Sequence, residues 1–115
     1  MTSTRSLLRF LTLCAFAVLL ASPALADELP TFNLAIKNAR FVPETIEVPA
    51  NIKFKLVIRN EGPGPEEFES DFPRKEKVLA AGATSFLIYQ PLKPGRYRFF
   101  GDFHPDTAQG WIVAK

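Results

Sequence analysis

Among the 115 residues there is one cysteine, one methionine and one histidine. The cysteine, Cys14, lies inside an apolar N-terminal run, so the chain beyond it has no thiol for a disulfide or a thiolate metal ligand. Met1 is the sole methionine, which removes any thioether ligand as well. Helical periodicity does not persist beyond two turns anywhere, which argues against a helical domain. No Ser–His or Cys–His spacing suggests nucleophilic catalysis. The densest glycine segment, Gly62-Pro63-Gly64-Pro65, is stiffened by its prolines and followed by carboxylates that would repel a phosphate.

What is present begins with a leader. Arg5 and Arg9 carry the only charges before Asp27, the run Phe10–Leu20 is almost wholly apolar, and Ala24-Leu25-Ala26 supplies the small residues a signal peptidase reads. A membrane-spanning helix needs about 20 apolar residues, and this run falls short of that. Cys14 follows Leu13 in the middle of the run, not the small residue that a lipidation signal requires. Residues 1–26 therefore read as a cleaved signal peptide, and 27–115 as a single domain expected in the periplasm, with no stable membrane insertion of the mature chain.

Removing the leader takes two of the 14 basic residues and none of the 12 acidic ones, so the mature domain is formally neutral. Neutrality offers no electrostatic attraction for nucleic acid. A domain this small, without cross-links, depends on its apolar core, and the 11 phenylalanines, all but Phe10 and Phe16 in the mature part, suit that need.

Period-two alternation recurs along the mature chain: Phe32, Leu34 and Ile36; Ile46 and Val48; Phe54, Leu56 and Ile58; Phe86 and Ile88; Tyr97 and Phe99; Trp111 and Val113. Turn chemistry separates the runs, at Pro43, Pro49-Ala50-Asn51, Ala81-Gly82, Pro94-Gly95 and Pro105-Asp106. The pattern predicts an all-β sandwich of about seven strands. The segment Lys75–Leu79 fits either a strand or a short helix, and Trp111 reads as a core residue.

Three segments carry a family resemblance. Phe41-x-Pro43-x-x-Ile46-x-Val48-Pro49-Ala50 resembles the early strands of cupredoxins, Leu92-Lys93-Pro94-Gly95-x-Tyr97-x-Phe99 their penultimate strand, and His104 with Gly110-x-Ile112-Val113 the last loop and strand. The resemblance implies a Greek-key β-sandwich. Blue-copper members hold their metal through two His, a Cys and usually a Met, a geometry that depends on the thiolate. Here Gly101 stands where the cysteine is expected, His104 is the surviving histidine, and the upstream histidine falls among the carboxylates of Pro65-Glu66-Glu67-Phe68-Glu69. A type 1 copper site is thereby excluded.

Glu67-Phe68-Glu69-Ser70 with Gly101-Asp102-Phe103-His104-Pro105 resembles a narrower group, the periplasmic cupredoxin-like proteins of bacterial ferrous-iron permease systems. That resemblance implies a metal site of carboxylates and histidine. It also implies iron or copper as the metal, and a membrane iron permease with its periplasmic components as partners. On a strand, Glu67 and Glu69 share one face while Phe68 takes the other. The candidate ligands are His104, Glu67, Glu69 and Asp102, with Glu66 and Asp106 as weaker ones; ferrous oxidation is the one enzymatic activity this set would support. The competing readings are a solvated acidic face, paired with Lys75 or Lys77 across a turn, and a metal-free interaction module. Without a thiolate, the Cu(II)-loaded protein should show only pale d–d absorption. An intense blue charge-transfer band in its visible spectrum would overturn this ligand assignment.

Overall fold

A computed structural model describes residues 28–115, and the expected signal peptide lies outside the described residues. Nine strands form: β1 (Thr31–Lys37), β2 (Arg40–Val42), β3 (Thr45–Val48), β4 (Phe54–Asn60), β5 (Glu66–Asp71), β6 (Arg74–Leu79), β7 (Thr84–Tyr89), β8 (Gly95–Phe100) and β9 (Gln109–Ala114). They lie in two sheets, ordered β2-β1-β4-β7 and β3-β9-β8-β5-β6. The pairs β1–β4 and β3–β9 are parallel and the others antiparallel. The all-β sandwich is thus as expected. No helix among the described residues is long and apolar enough to cross a membrane.

The two sheets meet on most of the alternating residues, though in β7 Leu87 and Tyr89, not Phe86 and Ile88, turn to the core. Leu34 and Ile36 of β1, Phe54, Leu56 and Ile58 of β4, Phe68 of β5, Phe99 of β8 and Ile112 of β9 are all buried. Phe41, Phe68 and Phe99 form the aromatic centre: Phe99 meets Phe41 edge-on at 4.9 Å between centroids and stacks on Phe68 at 5.1 Å. Gly110 makes room for this centre, because a Cβ there would lie 2.3 Å from Phe99 Cζ.

The open choice at Lys75–Leu79 is settled and one expectation is corrected. Lys75–Leu79 is strand, not helix: its side chains alternate, with Leu79 buried and Val78 58% exposed, and Lys75 and Lys77 share the inward side with Leu79. Trp111 is not core. Gly110, Ile112 and Ala114 are the buried residues of β9, which turns Trp111 and Val113 to the outer face. The guanidinium of Arg96 covers the indole there, 4.4 Å from the ring centroid.

Asn60, at the end of β4, fixes the loop that leads into β5. Its buried side-chain amide donates to the carbonyls of Gly64 (2.8 Å), Leu79 and Ala80 (each 3.2 Å). Its Oδ1 accepts from Gly62 N at 2.9 Å. Four backbone groups of two segments are thus tied to one side chain, and the start of β5 is held against the end of β6.

Phe99→Ala should lower unfolding free energy by about 3–5 kcal/mol in denaturant titrations, the range for emptying a packed aromatic site. Phe86→Ala, at a residue 50% exposed, should change it by less than about 1 kcal/mol. Equal, small losses would contradict the central position of the Phe99 ring.

Candidate metal centre

Strand β5 distributes its acidic residues to two sides. Phe68 is fully buried, so Glu66 and Ser70 share its inward side, while Glu67 and Glu69 face outward from the five-stranded sheet. The outward pair meets two further carboxylates. In the β5–β6 ladder Glu69 stands opposite Glu76 and Glu67 opposite Val78. In the β5–β8 ladder Glu69 pairs with Phe100, so the same register continued two residues on brings Asp102 beside Glu67. One carboxylate oxygen each from Glu67, Glu69 and Asp102 come within 4.8 Å of one another.

Gly101 makes this closeness available. It is buried, and a Cβ at that position would lie 2.9 Å from both Ala108 Cβ and the Glu67 carbonyl oxygen. Without a side chain, the end of β8 presses against the backbone of Glu67 and delivers Asp102 to it. The same contact bars a cysteine thiolate at the position where the blue-copper pattern expects one.

Like charges directly opposite each other in a sheet repel, and this cluster has no internal neutralisation. Among the described residues no salt bridge reaches Glu67, Glu69, Glu76 or Asp102. Lys75 and Lys77, the expected partners across the turn, pair with Ser70 and Phe68 on the other face of the hairpin. Arg98 and Arg96 lie on the outer face but rest on aromatic rings, Phe100 at 5.0 Å and Trp111 at 4.4 Å. Glu67, only 5% exposed, bears the consequence. Its carboxyl is pushed up to about 7, first by burial, then by a hydrogen bond with Glu76 and the charges of Glu69, Asp102 and Glu76.

His104 stands outside this group. Its Nδ1 lies 3.0 Å from Glu66 Oε2, on the inward side of β5, and the Glu66 side chain is 8% exposed. The loop folds back on itself to hold the ring there: His104 N donates to Gly101 O (3.1 Å) and His104 O accepts from Ala108 N (2.8 Å). The pair lines a cavity of about 630 Å³ whose walls include Ile36, Pro63, Pro65 and Phe103. Of the four expected ligands, the fold therefore brings together Glu67, Glu69 and Asp102 and sends His104 to Glu66. Asp106 lies elsewhere, beside Glu44 and Trp111. Glu76 was missed; the segment Lys75–Leu79, read as a strand, would have placed it opposite Glu69.

The cupredoxin-like domain family matches residues 10–114. The chain belongs to that family. Its match to the uncharacterized protein RP394 of Rickettsia prowazekii (strain Madrid E) is 44% identical over 89 residues, 77% of this chain and 71% of that one. Auracyanin A, a blue copper protein of Chloroflexus aurantiacus, shares the fold with a TM-score of 0.66 at 12% identity, covering 74% of this chain and 98% of its own. The metal-binding domain of the Cu(I)-exporting P-type ATPase CopA of Streptococcus pneumoniae, solved with Cu(I), gives 0.63 at 10% identity, covering 74% and 84%. This cupredoxin-like chain thus shares the fold of these two copper-binding proteins.

A carboxyl whose folded pKa lies near 7 instead of 4.5 binds its proton more tightly in the native state. Its contribution to stability is present below about 4.5 and is lost as pH rises through about 7. Glu67→Gln removes that titration. The melting temperature of metal-free Glu67→Gln should exceed that of the parent at about pH 8, and the gap should close near pH 5. A gap independent of pH would mean that Glu67 does not titrate in this range.

Proposed function

We propose that this cupredoxin-like protein is an exported metal-binding component of ferrous-iron uptake, holding iron or copper on Glu67, Glu69 and Asp102 without type 1 copper chemistry. The observation that carries the reading is the convergence of those three carboxylates, with Glu76 adjoining, and no salt bridge to any of them among the described residues. Carboxylate oxygens bind small divalent ions at about 2.0–2.2 Å, so three around one ion stand about 3–3.6 Å apart. Oxygens already within 4.8 Å of one another reach that spacing by closing about 1–2 Å.

Oxygen donors suit hard cations, Fe(III) among them, and the absence of sulfur disfavours Cu(I). A bound cation would replace mutual repulsion with attraction and would discharge the proton that Glu67 holds near neutrality. His104 enters this reading as the partner of Glu66, not as a ligand beside Glu67. The resemblance of Glu67-Phe68-Glu69-Ser70 and Gly101-Asp102-Phe103-His104-Pro105 to the permease-associated group supports iron as the cargo and a membrane permease as its destination.

Calorimetric titration of the metal-free mature domain with Fe(II), Fe(III) and Cu(II) tests the site. Glu67→Gln and Asp102→Asn should each weaken binding at least tenfold, about 1.4 kcal/mol. Lys75→Gln should leave it unchanged, and His104→Ala should cost less than Glu67→Gln. Equal and trivial effects in all four variants would remove the metal site. The transport role is tested separately: cells lacking the protein should take up ferrous iron more slowly, and unchanged uptake would refute that role while leaving the binding measurement intact.

A further inference from the structure

At the opposite end of β5 from Glu66, the β5–β6 turn carries Phe72, which is 76% exposed. Its ring lies nearly parallel to that of Tyr97, at 15° and 6.3 Å between centroids. Beside the two rings runs a groove of about 340 Å³, walled also by Pro73 and Leu92 and charged only by Lys75 and Lys93. An aromatic ring left in water beside a preformed concavity is the surface form of a binding anchor.

The groove is held rigidly. Lys75 Nζ donates to Ile88 O at 2.9 Å and sits 5.3 Å over the buried Tyr89 ring, which fixes one cation in position. The Tyr97 hydroxyl donates to Lys93 O at 2.6 Å, which fixes the loop that carries the other. One held cation, a second on a fixed loop and no carboxylate in the lining select against a basic ligand and favour an anionic one. The near-parallel rings and the proline wall suit an extended peptide, which lays an apolar side chain against them. A concave groove with its cations at the sides fits a peptide better than the plane of a lipid surface.

We propose that this groove docks an acidic peptide segment with an apolar anchor residue, supplied by a partner protein. Phe72 lies three residues beyond Glu69 along the chain, about 10 Å, and Lys75 and Tyr97 take the inward side of their strands while Glu67 and Glu69 take the outward one. A partner bound there holds the protein while leaving Glu67, Glu69 and Asp102 uncovered. The docking does not rest on the metal reading, and its test uses metal-free protein throughout.

The test is a nitrogen-15 amide shift titration with three acetylated, amidated hexapeptides. One is Glu-Glu-Pro-Phe-Glu-Glu, the second has Lys for every Glu, and the third has Ser for Phe. The first should bind with a dissociation constant of about 0.1–1 mM and shift the amides of Phe72, Leu92 and Tyr97, while the other two bind at least about fivefold more weakly. Phe72→Ser and Lys93→Glu, both at exposed positions, should each weaken the first peptide by about fivefold or more. No shift at these amides at about 5 mM peptide, or equal binding of the lysine peptide, would overturn the proposal. Co-sedimentation with phosphatidylglycerol vesicles is the second arm, and binding there that is lost in Phe72→Ser would assign the surface to lipid and overturn it too.

Discussion

Phe68 is fully buried against Phe41 and Phe99, and a strand offers its residues only two sides. With that ring committed to the core, Glu66 must turn inward and Glu67 and Glu69 must turn out. Each side then meets its own partner: Glu66 the imidazole of His104, and the outward pair Asp102 and Glu76. A shift of one residue in the β5 register would exchange the two sets and bury two carboxylates in place of the ring, so core packing and site chemistry are set by the same contact.

The outer face of the five-stranded sheet shows a separation of charge that pairwise attraction alone would not give. Arg96 and Arg98 are within the same sheet as the acidic cluster, yet their guanidiniums lie on Trp111 and Phe100. Arginine stacks readily because it is planar and weakly hydrated, so the rings compete well for it. The carboxylates are therefore left to repel one another, and Glu67 answers by holding its proton more tightly.

The core was legible in the sequence because period-two alternation is local: Phe54, Leu56 and Ile58, or Tyr97 and Phe99, declare their face within a few residues. The outward direction of Glu67 and Glu69 followed from the same rule. What was not legible depended on register between distant segments. Glu76 joins the cluster only because Glu69 pairs with it in the β5–β6 ladder, and a mixed run of charges does not announce such pairing. Trp111 misled because a large aromatic next to glycine suggests a core position, whereas Gly110 is the residue that had to be inside, beneath the Phe99 ring. His104 stands out as the one histidine of the chain, but its residue type does not say which carboxylates of β5 it meets. Only the fold of the loop from Gly101 to Ala108 decides which side of β5 its ring can reach.

The contact at Gly101 also bears on how this scaffold can change over generations. A cysteine there is not accommodated by a single substitution, since even a β-carbon meets Ala108 and the Glu67 backbone at 2.9 Å. Admitting it requires the loop and the start of β5 to move apart, and that movement would withdraw Asp102 from Glu67. A side chain at position 101 and the approach of Asp102 to Glu67 thus make opposing demands on one strand contact.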